Sequence, residues 1–266
     1  MSKIKIYILT HKKFDYEKSD LYEPLLNGSA LLDEDFGYTR DDTGDNISEL
    51  NPYYAELTGQ YWAWKNSDAD IIGFCHYRRY FVKNIFMKRL DENDVKLILK
   101  DHDIIMPHVR HLDKTNLEEI HEGHLNGTCQ TVEDYDLLRK IIQDKSPEYL
   151  ETYDNVLNGH EVYWFNMYIC RKEIFDDYCS WMFSILEEFR KQTDFEKYGQ
   201  GERRVLGFLS ERLINVYIKK HSLKVNEKFL HHTESRFPLI TLIEGNTPFL
   251  QNLTQKAIKF ENSRKK

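Results

Sequence analysis

The most constraining feature of this sequence is a short apolar run at residues 70–75, Asp-Ile-Ile-Gly-Phe-Cys. Polar and turn-forming residues bound it, and it lacks the alternation of a strand with one wet face, which is typical of a strand buried on both faces. Such a strand requires a layer of structure on each side. It also brings the residues that follow it, His76-Tyr77-Arg78-Arg79, to the edge of a sheet.

Strand and helix patterns alternate on both sides of this run. Residues 3–10, 102–107 and 163–170 are strand-like segments rich in β-branched or aromatic residues. The helical patterns cover residues 51–66, 91–100, 131–143, 147–158, 172–190 and 203–219, and Asp91 is a predicted helix cap. This order predicts an α/β fold with a mostly parallel central sheet flanked by helices.

The composition favours one folded domain. Of 266 residues, 41% are hydrophobic, and no internal repeat or low-complexity linker divides the chain. We predict a single domain over residues 1–260 and a basic, frayed tail over residues 261–266. The first residues look like a strand rather than a signal peptide, and no stretch reaches about 18 apolar residues. We therefore expect a cytoplasmic protein.

Charge and cysteine usage exclude some classes. The formal net charge of −7 argues against a nucleic-acid partner, whose phosphates require an excess of Lys and Arg. The four cysteines form no Cys-x-x-Cys pair, so the sequence signals neither a zinc site nor a disulfide framework. A local basic pocket for one diphosphate is compatible with this composition.

Cationic residues follow the buried strand. Arg78 and Arg79, with His76 beside them, form a compact cluster that can hold a diphosphate through charge-assisted hydrogen bonds. Open α/β sheets bind ligands at the carboxyl ends of their strands, so we also assign Thr10 and His11, at the end of the first strand, to the site. The alternative is that one arginine pairs with a structural carboxylate and the histidine has an ordinary hydrogen-bond partner.

An acidic turn, Asp-Asp-Thr-Gly-Asp-Asn, occupies residues 41–46. Its carboxylates and amide suit the hydroxyls of ribose or a sugar, or a hard cation, although its order departs from the calcium-loop pattern. The alternative is a solvated turn held by its own Asx hydrogen bonds. We assign five residues here to nucleotide-sugar binding: Arg40, Asp41, Asp42, Asp45 and Asn46.

Histidines and carboxylates elsewhere offer further contacts. His121 and His124 fall in a polar stretch, residues 109–126, that we predict to be a mobile loop over a cleft, and their spacing departs from the zinc-helix pattern. Glu161 and Glu211, the latter on the last predicted helix, are two candidates for a general base. The sequence does not separate them, and an ion pair at the surface is the alternative for each.

Longer motifs carry a resemblance to a known family. They are Thr10-His11-Lys12, Arg40 to Ser48, Glu56 to Gly59 with Tyr61 to Asn66, Gly73 to Phe81, Trp164 to Ile169, and Gly207 to Leu213. With these motifs the chain resembles a family of bacterial exopolysaccharide and capsular polysaccharide biosynthesis proteins. That family was formerly labelled a domain of unknown function and is placed among glycosyltransferases of the GT-A class. The resemblance covers most of the chain.

The resemblance implies a single GT-A-like, Rossmann-like domain that transfers a sugar from a UDP-sugar to a lipid-linked oligosaccharide in capsule or exopolysaccharide biosynthesis. Members include galactofuranosyltransferases, so UDP-galactofuranose is an expected donor. Such an acceptor, with the basic tail, implies peripheral contact with the cytoplasmic face of the inner membrane.

The same resemblance bears on the cofactor. Most GT-A enzymes hold a divalent cation, Mn²⁺ or Mg²⁺, on an Asp-x-Asp motif, but His76-Tyr77-Arg78 takes that place here. Cationic side chains then replace the electrostatic role of the metal. We therefore assign no metal ligand and expect a metal-independent enzyme, with a bound divalent cation as the alternative.

The resulting hypothesis is an inverting sugar transfer in which Glu211 or Glu161 activates the acceptor hydroxyl. The donor contacts are Thr10, His11, Arg40, Asp41, Asp42, Asp45, Asn46, Lys65, His76, Arg78 and Arg79, and the acceptor contacts are His121, His124, His160, Trp164 and Asn166. The rival hypotheses are a non-catalytic carbohydrate- or nucleotide-binding module and a metal-dependent hydrolase built on the loop from His121 to His124.

Overall fold

The computed structural model describes residues 2–84, 86–125, 130–199 and 203–234. The strands within these ranges are β1 (Ile4–Thr10), β2 (Tyr22–Leu26), β3 (Thr39–Arg40), β4 (Ile71–His76), β5 (Arg79–Val82), β6 (Ile104–Pro107), β7 (Arg110–His111), β8 (Glu161–Val162), β9 (Ile169–Arg171) and β10 (Val225–His232). The helices are α1 (Asn51–Tyr54), α2 (Leu57–Asn66), α3 (Glu92–Asp101), α4 (Asn116–Leu125), α5 (Val132–Lys145), α6 (Leu150–Leu157), α7 (Lys172–Gln192) and α8 (Val205–Lys220). The predicted domain end at residue 260 and the basic tail at residues 261–266 lie outside the described residues.

Eight of these strands form one sheet, in the order β3-β2-β1-β4-β5-β10-β6-β9, and β9 also pairs with β4. The additional pairing closes β4, β5, β10, β6 and β9 into a five-stranded barrel. Strands β1, β2 and β3 continue the sheet outwards from β4. The two short strands β7 and β8 form a separate antiparallel pair.

The predicted GT-A-like domain with a mostly parallel central sheet is wrong, because the sheet is mixed and partly closed. β1 is parallel to β2 and β4, and β10 is parallel to β6, but β5 and β9 are antiparallel to their neighbours. Only Tyr77 and Arg78 separate β4 from β5. A connection that short joins antiparallel strands, whereas parallel strands need a long crossover. The apolar run alone does not reveal this hairpin.

Strand β4 is buried on both faces, as its apolar run predicts. Ile72 and Phe74 belong to the larger hydrophobic core, which includes residues of α7 and α8, whereas Ile71 and Cys75 belong to a second core. At Gly73 a Cβ atom would lie 2.7 Å from Cγ1 of Ile169, its partner on β9. The missing side chain therefore lets β9 approach β4 and close the barrel.

Some helix predictions hold and others do not. The predicted cap at Asp91 is confirmed, because its side chain accepts a hydrogen bond from the Asp94 N–H at the start of α3. The predicted helix over residues 51–66 is interrupted at Ala55, whose φ of 49° ends α1 before α2 begins. The predicted loop at residues 109–126 contains β7 and α4 within its described part.

The predicted strand over residues 163–170 is also wrong. Its aromatic residues have high strand propensity, but the chain forms only the short β9 at its end. Phe165 and Asn166 have positive φ values of 84° and 50°, which no strand tolerates. The turn they make lies in the functional site.

Within the described ranges, none of the helices combines the length and the apolar character needed to cross a lipid bilayer.

Candidate active site

A cleft of about 640 Å³ lies where the carboxyl ends of β1 and β4 meet the start of α8. Further lining residues come from α1, from the turn before α2 and from the segment that precedes β9. The cleft brings together seven residues that the sequence assigns to the site: Thr10, His11, His76, Arg78, Arg79, Trp164 and Glu211.

Four arginines line the described part of the cleft, namely Arg78, Arg79, Arg203 and Arg204. Arg79 is the most constrained of them, with its Cζ atom 4.4 Å from the centre of the Phe165 ring. Burial and the positive charge of Arg78 lower the pKa of Arg79, but a guanidinium keeps its proton at any physiological pH. The ring orients this planar, permanently charged group within the cleft.

Two of these arginines face carboxylates that a ligand can displace. Nη1 of Arg78 lies 3.7 Å from a carboxylate oxygen of Glu234, and about half of the Glu234 side chain is exposed. Nη2 of Arg203 donates to Glu196 across 2.7 Å. Exposed pairs of this kind contribute only about 0–1 kcal/mol, so a bound phosphate offers a favourable exchange.

His76 contributes a neutral ring rather than a charge. Its Nδ1 lies 3.4 Å from Nη1 of Arg79, and because an arginine only donates, Nδ1 is the acceptor and Nε2 carries the proton. Burial, then the charges of Arg79 and Arg78, lower the pKa of His76 to about 3, so the ring is neutral near pH 7. Nε2 is buried, and the backbone of Phe165 lies close enough to it to oppose part of the fall in this pKa.

The start of α8 adds to the positive character of the cleft. Arg204 precedes the first turn of this 16-residue helix, and Gly207 and Phe208 also line the cleft. The first turn carries no acidic side chain of its own, and Glu56 is the carboxylate that approaches it, near Gly207. Helix starts of this kind bind phosphate groups.

Two carboxylates face these cations. Glu211 and Glu56 both line the cleft, and only 18% of the Glu211 side chain is exposed. Burial, reinforced by the charge of Glu56 and opposed by Arg212, raises the pKa of Glu211 to about 7. A carboxylate with such a pKa suits proton abstraction near neutral pH.

The turn at Phe165 and Asn166 holds both carboxylates. The Phe165 N–H donates to Oε1 of Glu211 across 3.0 Å, and Nδ2 of Asn166 donates to Oε1 of Glu56 across 2.8 Å. Asn166 is buried and also donates to the carbonyl of Gly207. It therefore supports the cleft from behind, with its amide engaged by protein atoms.

Aromatic rings surround the β1 side of the cleft. Tyr77 lines it, with His11 and Phe14 in ring contact and the Lys12 ammonium 4.7 Å from its centre. Thr10 is buried, and its hydroxyl donates to the carbonyl of Lys12. Burial, with the charges of Lys12 and Arg78, lowers the pKa of His11. A flat ring beside cations suits a base or a sugar next to a phosphate.

The acidic turn lies outside the cleft lining. Asp41 is fully buried and accepts hydrogen bonds from the N–H groups of Gly28 and Ser29. Within the turn, Asp42 pairs with Arg40 of β3 at 2.7 Å, and the backbone N–H of Asp45 and the side chain of Asn46 donate to Asn66 and Gly44. Lys65, on α2, lies with its ammonium 3.3 Å from the centre of the Trp64 ring. These contacts brace the region next to β1 and β2.

Several predicted acceptor residues are also remote from the cleft lining. His121 and His124 are exposed on α4, and His160 is exposed before β8. Glu161 is exposed too, with its carboxylate 3.4 Å from Nδ1 of His111. The structure therefore separates the two base candidates, since Glu211 lines the cleft and Glu161 does not.

The hairpin between β4 and β5 carries no carboxylate where the resemblance places Asp-x-Asp. At the place that the resemblance assigns to Asp-x-Asp, the chain offers a neutral imidazole at His76 and a guanidinium at Arg78, which repels a cation. Across the part of the chain that the structure describes, no three His, Cys, Asp or Glu side chains are grouped to hold a metal ion.

Comparison with known proteins places this architecture in a family. Residues 5–222 match the model of a domain of unknown function, DUF4422. The chain belongs to the DUF4422 family. No curated protein matches the chain. Among solved structures, the chain is similar to one titled "WbbM bifunctional glycosytransferase apo structure", with a TM-score of 0.80 and 31% identity. The match covers 88% of this chain but only 46% of that one, so the chain spans about half its length.

The DUF4422 match includes every cleft residue from Leu9 to Glu211. Glu234, which faces Arg78, lies beyond it. The comparison supports a glycosyltransferase-like family. It does not reach the exopolysaccharide and capsule family that the motifs suggest. Roles in capsule or exopolysaccharide synthesis and a galactofuranose donor stay predictions.

Three kinds of cleft residue escape the sequence-based assignment. Glu56 lies inside the predicted helix over residues 51–66, and only the break at Ala55 turns it towards the cleft. Arg203 and Arg204 look like a solvated helix face until α8 is seen to begin at the cleft. Tyr77 lies between His76 and Arg78, two residues assigned to the site, and this position is the only sequence feature that points to Tyr77 as a cleft residue.

Proposed function

We propose that this chain is a glycosyltransferase that moves a sugar from a UDP-sugar to a hydroxyl of an oligosaccharide. The observation that carries the proposal is one cleft in which Arg78, Arg79 and the start of α8 face Glu211, a buried carboxyl with a pKa near 7. The similarity to a protein titled a bifunctional glycosyltransferase supports the same class.

The arginines stabilise the leaving group. When the bond between the anomeric carbon and the phosphate oxygen breaks, the electron pair stays on the diphosphate, and negative charge grows there. Arg78, Arg79, Arg203 and Arg204 line the space for that charge, with the neutral ring of His76 beside them. Because these groups are already in place, the proposed reaction needs no divalent cation.

Glu211 supplies the base. Its carboxylate takes the proton of the acceptor hydroxyl while that oxygen forms the new bond to the anomeric carbon. One base and no covalent intermediate imply inversion at that carbon. The exposed position of Glu161 makes it the weaker candidate.

The finer assignments rest on the resemblance of the sequence motifs. We propose galactofuranose as the transferred sugar, a lipid-linked oligosaccharide as the acceptor, and capsule or exopolysaccharide biosynthesis as the setting. A cytoplasmic enzyme that touches the inner membrane peripherally fits such an acceptor.

A thermal-shift panel tests the class and the donor together. Nucleoside diphosphates, UDP-sugars and free sugars are each added with and without Mn²⁺, because a ligand that binds only the folded state raises the melting temperature. We expect UDP and UDP-sugars to raise the melting temperature, and each of them to raise it as much without Mn²⁺ as with it. Stabilisation by free glycans alone indicates a binding module, and stabilisation only with Mn²⁺ contradicts the metal-independent mechanism.

Sugar transfer from the best donor then tests the base. We expect Glu211→Gln to reduce kcat by at least about 100-fold, the usual contribution of a general base, and Glu161→Gln to retain most of it. The melting temperature of each variant shows that it is folded. Equal rates for Glu211→Gln and the wild-type protein remove Glu211 from this role.

A further inference from the structure

The carboxylate of Glu56 has no assigned part in the reaction, yet it lines the same cleft as Glu211. Its Oε1 accepts a hydrogen bond from Asn166, and Glu211 accepts one from Phe165, the preceding residue. Two consecutive residues of one turn therefore hold the two carboxylates of the cleft side by side.

That turn is conformationally unfavourable and strongly supported. Phe165 and Asn166 both have positive φ, a region that disfavours most residues other than glycine, Phe165 more than Asn166. Hydrogen bonds fix Asn166 on several sides: Gln60 donates to its carbonyl, Ser210 donates to its Oδ1, and its own amide donates to Gly207. Strain persists only where the surroundings impose it, and here they impose the position of both carboxylates.

The charges around Glu211 come from three elements. Arg212, its neighbour on α8, has a guanidinium nitrogen 4.0 Å from Oε2 of Glu211. Arg79 at the start of β5 and Glu56 before α2 also act on it, and Arg78, Arg203 and Arg204 line the same cleft. Arg212 and Arg79 favour the ionised form, whereas Glu56 opposes it.

We propose that Glu56 is a positioning residue that acts through Glu211, and that its carboxylate sets the pH range in which Glu211 works as the base. The inference rests on the proposed function only in taking Glu211 as the base. The turn at Phe165 and Asn166 is the device that keeps the two groups at a constant separation.

Two substitutions separate the charge of Glu56 from its hydrogen bond. Glu56→Gln keeps an Oε1 acceptor for Asn166 but removes the charge, whereas Glu56→Asp keeps the charge on a shorter side chain. Glu17→Gln is the matched control, because Glu17 is exposed and lies in the loop after β1, outside the cleft lining.

The measurement is a pH titration of the full chain with ¹³C-labelled glutamate side chains, followed by NMR without substrate. The Glu211 signal is identified by its loss in Glu211→Gln. We expect its midpoint to fall by about one pH unit in Glu56→Gln, the size of effect that one nearby charge produces, and to stay near the wild-type value in Glu56→Asp and Glu17→Gln.

The acidic limb of kcat/KM against pH is expected to move in the same direction, which a purely structural role of Glu56 does not produce. An unchanged Glu211 midpoint in Glu56→Gln overturns the inference, and so does an equal fall in Glu56→Asp. Because the titration needs no substrate, it gives its answer even if the chain proves not to transfer sugars.

Discussion

The burial of Glu211 predicts a measurable dependence of stability on pH. The surroundings raise its pKa from 4.5 to about 7, and with only 18% of the side chain exposed, solvent screens little of this effect. At about 1.4 kcal/mol for each pH unit, the difference corresponds to about 3 kcal/mol. The folded protein keeps this proton at pH values where the unfolded chain has lost it. The stability therefore falls as the pH rises from about 4.5 through 7.

Glu211→Gln removes this loss, because an amide does not ionise and still accepts the hydrogen bond from the Phe165 N–H. Between pH 5 and pH 8 we expect the free energy of unfolding of the variant to gain about 2.5 kcal/mol relative to the wild-type protein. Urea unfolding followed by tryptophan fluorescence at pH 5, 6.5 and 8 measures both values. The same comparison for Glu17→Gln, an exposed residue, gives the background.

If the free energies of unfolding of Glu211→Gln and the wild-type protein differ by the same amount at pH 5, 6.5 and 8, the prediction is wrong. Such a result means that Glu211 titrates alike in the folded and unfolded states. The carboxyl is then not desolvated, and its suitability as a base near neutral pH loses its physical basis.

Three further predictions concern the barrel, the acidic turn and the aromatic side of the cleft. Gly73→Ala places a Cβ atom 2.7 Å from Ile169 and lowers the free energy of unfolding by about 1–3 kcal/mol; an unchanged urea midpoint contradicts the close approach of β4 and β9. Asp41→Asn weakens buried hydrogen bonds to the Gly28 and Ser29 N–H groups and lowers the free energy of unfolding by about 2 kcal/mol. Because Asp41 lies outside the cleft lining, its UDP affinity measured by calorimetry is expected to stay constant, and a loss of affinity contradicts a purely structural role. Tyr77→Ala is expected to weaken UDP binding by about 1–3 kcal/mol, whereas Tyr77→Phe keeps the ring and the affinity. If Tyr77→Ala binds UDP as tightly as the wild-type protein, UDP does not stack on this ring.

Local sequence signals predicted the elements and their ends better than the sheet. The apolar run at residues 70–75 and the cap at Asp91 are local features, and both predictions are confirmed. Sheet closure depends on long-range pairing. Strand β9 joins β4 because Gly73 leaves room for Ile169, about a hundred residues later in the chain, and no periodicity contains that information.

The site also combines residues that local sequence signals reveal with residues that only the folded chain brings into place. Position at the end of a strand and cationic chemistry together point to His11, His76 and Arg79, and the structure brings them to one cleft. Glu56 was missed because it reaches the cleft through a break in a predicted helix at Ala55. Burial also makes His76 neutral, which its place beside two arginines in the sequence does not show.

Arginine side chains in the cleft are proposed to bind the diphosphate of the donor. Calorimetric titration with UDP and with uridine tests this binding most directly. Loss of the charge-assisted hydrogen bonds of Arg79 corresponds to about 1.5–3 kcal/mol, so Arg79→Gln is expected to weaken UDP binding by about 10- to 100-fold. Arg139→Gln, which removes an ion pair with Asp154 on α5 and α6, is the control and leaves the affinity unchanged. We expect uridine to bind the wild-type protein far more weakly than UDP. Equal binding of UDP and uridine, or full UDP affinity in a folded Arg79→Gln variant, contradicts the claim.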